Sequence, residues 1–176
     1  AKKTFFTGAV GIALYENVSD VTQPSNSQLP HVRSDVANYF QEDGLKLTRL
    51  LLSRFFNPRK RVYARAQAGI YELMFGGVGG QVLYIPEKRP WAVDLSVDWV
   101  RQRDYEGGFG FLDYETVTSL AAVHYRFPDY GITTTLRAGR FLAKDNGARF
   151  EISISQTGLI ARPSNPAAVK ALAEWR

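Results

Sequence analysis

Asp94 and Asp98 stand four residues apart in "WAVDLSVDWV" (91–100), and His124 follows in "AAVHYRF" (121–127). Two carboxylates and an imidazole are material for acid–base catalysis, for metal binding or for gripping sugar hydroxyls. Spacing weighs against the first. Along a strand at ~3.3 Å per residue the carboxylates fall ~13 Å apart, whereas glycosidase pairs sit at ~5–9.5 Å. A Ser–His pair is also poorly served. The chain has two histidines, His31 and His124, and His124 shares a predicted face with Thr116 and Thr118 but not with Ser119. A lone imidazole among polar residues is more often a satisfied hydrogen-bonder than a base. No His, Asp or Glu cluster has metal-ligand spacing, and the chain contains no cysteine, which excludes disulfides, thiolate metal sites and thiol nucleophiles. The glycine-rich "GGVGG" (76–80) lacks the Gly-Lys-Ser/Thr ending of a phosphate loop. Glycine there marks a bend or a close backbone approach. No catalytic residue, metal site or cofactor is assigned, and an enzyme is not expected.

The chemistry left is that of a polar face. Trp91, Val93, Leu95, Val97 and Trp99 take the odd positions of 91–99, and Asp94, Ser96 and Asp98 take even ones. A strand sends alternate side chains to opposite sides, so one side is apolar and the other carries acids. The same alternation puts Arg65 and Gln67 opposite Ala64, Ala66 and Ala68. It puts His124 opposite Val123 and Tyr125, Arg137 opposite Leu136 and Ala138, and Glu151 opposite Phe150 and Ile152. Seven residues thus form one candidate ligand or lumen set: Arg65, Gln67, Asp94, Asp98, His124, Arg137 and Glu151.

These residues require strands to position them. Period two runs through 4–15, 45–56, 62–72, 77–86, 91–104, 115–127, 132–141 and 149–155. The "LLL" at 50–52 interrupts it, which predicts a bulge. Short connections with turn chemistry, "NPRK" (57–60), "PEKRP" (86–90) and "FPDYG" (127–131), alternate with longer ones at 16–44, 104–114 and 142–148, with 73–76 a short exception. Alternating short and long connections between strands of about ten residues are the pattern of an outer-membrane barrel. Aromatics lie near both strand ends. Tyr63, Trp91, Phe127 and Tyr130 are by the short turns; Tyr71, Phe75, Trp99, Tyr105 and Phe141 are towards the long loops. Interfacial belts have that placement. The fold expected is all-β: an antiparallel up-and-down, outer-membrane-type barrel of about eight strands, or an arc of a larger one, over residues 1–155. A tail, 156–176, carries a short helix capped by Asn165 and Pro166. Ser34 is expected to cap another short helix through Phe40, stopped by Gly44.

Composition sets limits. A formal charge of +5 and a pI near 9.5 are mildly basic. The densest basic run, Arg59-Lys60-Arg61, reads as a solvated turn, so no nucleic-acid partner is expected. No apolar run reaches the ~18 residues of a membrane helix. Lys2-Lys3 before "TFFTGAVGIALY" imitates a signal peptide, but the alternation of Phe6, Val10, Ile12 and Leu14 reads as a strand.

The stretches "LPHVRSD", "RFFNPR", "GGVGGQVLY", "VRQRDY" and "AGRFLAKDNG" together resemble the YjbH/GfcD-like family of Gram-negative outer-membrane proteins, encoded with exopolysaccharide or capsule-assembly genes. The likeness covers roughly residues 8 to 152. It implies a bacterial outer-membrane location, with membrane lipid, a polysaccharide and other export proteins as partners. It also implies a length several times greater, so the chain looks like a fragment or truncated relative. It lends no catalytic residues. Three functions remain in view: a barrel assisting export or surface assembly of an exopolysaccharide, a soluble β-barrel binding a small apolar ligand, and an outer-membrane lipid-modifying enzyme. Alternation alone does not say which face looks inward.

Overall fold

The computed structural model describes residues 3–12, 30, 32–40 and 45–154. Eight strands form one antiparallel sheet in chain order: β1 (Lys3–Ile12), β2 (Leu45–Arg59), β3 (Val62–Ile70), β4 (Phe75–Tyr84), β5 (Trp91–Arg103), β6 (Phe111–Phe127), β7 (Ile132–Arg140) and β8 (Asn146–Ile154). The sheet is open, with β1 and β8 as its edges, which is the form of an arc. The strands are long: β2 has 15 residues and β6 has 17, against about five or six for an ordinary strand. Among the described residues no helix is long and apolar enough to cross a membrane, which does not bear on strands.

Several boundaries move from the sequence expectation. β4 starts at Phe75, and its glycines pair with both β3 and β5. β6 starts at Phe111, which shortens the 104–114 connection to 104–110. β8 starts at Asn146, so 142–148 becomes a tight turn in which Phe141 N–H donates to Asp145 O (2.9 Å). For β4 and β8 ladder hydrogen bonds outweigh the weak strand preference of Gly and Asn, and β6 starts early because Phe111 pairs with Arg103 beyond a register shift. The bulge falls slightly earlier than the leucine run. Arg49 faces Ala9 and Leu47 faces Val10, so Thr48 is the extra residue. Its hydroxyl donates to Ala9 O (3.1 Å).

The short turns end sharply. Arg61 (φ 67) and Lys88 (φ 55) take left-handed conformations, and Gly131 (φ 61) ends the short 3-10 turn Pro128–Tyr130. Residues Ser34–Tyr39 form a 3-10 helix, with Arg33 at its N-cap and no capping side chain, so Ser34 does not play the expected role. Gly44 and the helix expected in the tail lie outside the described residues.

That 3-10 segment closes the long-loop rim. Tyr39, Met74, Phe75 and Val100 form a buried cluster, with Val32, Tyr71, Leu73, Tyr105, Tyr114 and Leu142 against it. Tyr39 and Tyr105 meet edge to face, 5.0 Å between centroids. Tyr71, Phe75 and Tyr105 therefore serve this plug and not the expected interfacial belt. Beneath it lies Arg103, fully buried. Its Nη1 donates to Leu47 O (2.7 Å) and Leu73 O (2.8 Å), and its Nη2 to Gly107 O and Gly108 O (2.6 Å each). Tyr39 donates its hydroxyl to Arg103 O (2.6 Å). One guanidinium thus ties β2 to two loops, as its rigid fork of five donors allows.

Replacing Arg103 with Met strands those carbonyls without donors, at ~1.5–3 kcal/mol for each strong bond not replaced. Limited chymotrypsin digestion should then cut 104–110 at least about tenfold faster while the strands persist. Burial pushes the Tyr39 hydroxyl up from its ordinary 10.0 to about 12. A raised value favours the protonated folded state, so the plug holds below pH ~10 and weakens as pH climbs through the folded value. The same digestion run against pH reads that loss, and Tyr39→Phe should flatten it.

Candidate functional site

Strand register places every candidate residue on one face. Arg65 faces Gln81, Gln67 faces Gly79, and Gly79 faces Asp98. Asp94 lies opposite Ala122, and Ala122 opposite Arg137. His124 lies opposite Thr135, and Thr135 opposite Glu151. This polar face is the covered one. Asp94 is 6% exposed, whereas Leu95, Val97 and Trp99 on the other face are 56%, 46% and 42% exposed. Trp91 and Val93 are half-buried by their neighbours.

Two polar networks hold the face together. In the first, Asp94 accepts from Gln81 Nε2 (3.0 Å) through Oδ1 and meets His124 Nε2 through Oδ2 (2.6 Å). The other imidazole nitrogen, Nδ1, meets Thr135 Oγ1 at 2.9 Å. The network crosses β4, β5, β6 and β7. In the second, Asp98 Oδ1 accepts from Gln67 Nε2 (3.2 Å) and the Tyr71 hydroxyl (2.9 Å). Gln67 reaches Asp98 across β4 because Gly79 lies between them. A Cβ at Gly79 would stand 2.0 Å from Asp98 Oδ1. Burial, then the Asp98 carboxylate, push the Tyr71 hydroxyl well above its usual range, which keeps it a donor.

The two acids hold separate networks. Arg137 acts on Asp94 electrostatically, and Arg65 does so on Tyr71. Glu151 pairs with Arg149 (2.5 Å), a residue outside the candidate set. Sequence reasoning also missed Gln81, Tyr71 and Arg103. Gln81 shares the polar phase of β4 but was masked by glycines; Arg103 sits in "VRQRDY" with nothing in its type to mark burial. Among the described residues, no group of three or more His, Cys, Asp or Glu is placed to hold a metal.

The apolar face has aromatics at its short-turn end. Trp91 lies opposite Tyr125, with Tyr84 beside Trp91 (6.1 Å) and Phe127 beside Tyr125 (4.8 Å). Trp99 and Phe111 lie towards the other end. Tyr63, by contrast, follows the polar phase of β3, opposite Leu83.

The family model for YjbH, described as "Exopolysaccharide biosynthesis protein YbjH", matches residues 1–158. The chain belongs to the YjbH exopolysaccharide biosynthesis family. It is 31% identical over 144 residues to "Uncharacterized lipoprotein YjbH" of Escherichia coli (strain K12), an alignment covering 79% of this chain and 20% of that protein. The YjbH-family segment thus spans about a fifth of that relative's length. No solved structure matches it.

Gly79→Ala forces a methyl into the Asp98 carboxylate. Overpacking of that kind costs roughly 1–3 kcal/mol. Chemical denaturation in detergent should show a loss in that range, and pairing Gly79→Ala with Asp98→Ala should recover much of it.

Proposed function

We propose that this chain is wall of an outer-membrane barrel: its apolar face meets lipid and its polar face lines an aqueous lumen. It assists export or surface assembly of an exopolysaccharide and performs no catalysis of its own. The observation that carries the reading is the distribution of side chains. Asp94 is buried and Asp98 half-buried, each hydrogen-bonded to polar neighbours, while Phe6, Leu52, Val82, Leu95, Val123, Leu136, Phe150 and Ile152 are 48–71% exposed across the opposite face. A contiguous apolar surface spanning eight strands far exceeds what an isolated soluble domain tolerates. Hydrocarbon accepts it. A soluble barrel with an apolar ligand needs the reverse, with the acids outermost.

Membership of the exopolysaccharide family supports the cargo, and the relative's name as a lipoprotein supports a cell-envelope location. Size supports the arc. Eight strands closed on themselves leave an interior just wide enough for side chains, too narrow for a polymer. Backbone groups at β1 and β8 would be unsatisfied in lipid, so both edges pair with further strands of a wider wall.

The test compares the two faces in a Gram-negative host. Leu95→Arg and Val97→Arg each place a charge against hydrocarbon, at about 2–4 kcal/mol near the bilayer midplane. Both should deplete the protein from the outer-membrane fraction. Ser96→Arg, between them but on the polar face, should not. Equal recovery of all three would sink the proposal.

A further inference from the structure

The polar face is not uniform. On β3 to β5 its acids are taken up by neighbours, Asp94 by Gln81 and His124, Asp98 by Gln67 and Tyr71. On β6 to β8 bases dominate. Successive rows across those three strands read Arg126–Thr133–Ser153, His124–Thr135–Glu151, Ala122–Arg137–Arg149 and Leu120–Gly139–Gly147. On these three strands three arginines meet one acid, and Asp94 of β5 lies in the Arg137 row beyond Ala122. Arg137 stands directly opposite Arg149. Like charges facing each other across a ladder are destabilising, so neutral structural needs do not explain the pair. Arg137 acts on Asp94 across Ala122, but Gln81 and His124 take that carboxylate's hydrogen bonds.

We propose that this β6–β8 patch binds carboxylate-bearing sugars, as in a polyuronate, making an acidic polysaccharide the cargo class. The inference rests on the lumen reading above. Charge complementarity selects the occupant: strands ~4.8 Å apart let the Arg137 and Arg149 forks bracket one carboxylate, a bidentate geometry guanidinium favours. Thr133, Ser153 and Thr135 supply hydroxyls on the same face. The last row is a floor without side chains at Gly139 and Gly147, where Gly139 packs so closely that a Cβ would stand 2.0 Å from Ser119 O. The Phe141 ring lies beside that floor, its nearest carbons 3.4 and 3.6 Å from where a Gly147 Cβ would stand. It offers an apolar surface for a sugar ring. Glu151 holds Arg149 (2.5 Å) through an exposed pair, the side chains 58% and 41% exposed. Such a pair is weak, so an incoming uronate displaces Glu151.

The experiment titrates the full chain, in an uncharged polyoxyethylene detergent, with oligogalacturonate and with neutral maltodextrin of equal length, by calorimetry. Oligogalacturonate should bind at least about tenfold tighter and weaken with salt. Arg137→Gln should lower its affinity about tenfold. Glu151→Gln should raise it several-fold by freeing Arg149, a gain that a folding defect would not produce. Maltodextrin binding as tightly overturns the acidic class and leaves the polysaccharide reading standing. An equal affinity for single-stranded DNA overturns the saccharide in favour of any polyanion. Binding indifferent to both substitutions, or absent, overturns the patch; failure of the lumen reading shows separately, as loss of the contrast between Leu95→Arg and Ser96→Arg.

Discussion

Asp94 carries a charge on a strand that has nowhere dry to hide it, and its partners decide the orientation of the sheet. Gln81 on one side and His124 on the other hold both carboxylate oxygens, and Thr135 holds the far nitrogen of the imidazole. Four strands are thereby linked on one face. Because side chains alternate, fixing that face inward sends Leu95, Val97 and Trp99 outward without further choice. A buried acid without partners would cost several kcal/mol, so the network and the exposed apolar face are one constraint seen from two sides.

The long-loop rim follows a different logic. There the polar face turns apolar at Val100 and Phe75, and Tyr39 and its neighbours settle on it. The loops above have few regular backbone bonds, and Arg103 replaces them with four short ones. The result is a face that is polar in the middle and along β6 to β8, and covered by a small core at one end. The arginines of β6 to β8 lie on the open part.

Much of this was legible in the residues. Parity alone put all seven candidates on one face, because alternation depends only on counting along a strand. Turn residues marked the short connections. Strand starts were less legible at Phe75 and Asn146, where cross-strand bonds recruit glycine and asparagine that carry no strand signal, and at Phe111, which pairs with Arg103 beyond a register shift. Which aromatics point where was misjudged for Tyr63, Tyr71, Phe75 and Tyr105: nearness to a strand end says nothing about the side of the sheet. Arg103 was invisible, since an arginine bound wholly by carbonyls looks in sequence like any other. Inside and outside, the decisive matter, required the burial of Asp94 against the exposure of Leu95.

The central claim is that hydrocarbon wets the apolar face. Trp91 and Trp99 report on it directly. With Trp175 changed to Phe, the chain is placed in phosphatidylcholine bilayers whose acyl chains carry bromine, a contact quencher of indole fluorescence. The account predicts strong quenching by the bromolipid and little by acrylamide dissolved in the water. Emission that acrylamide extinguishes and bromine leaves untouched would contradict it.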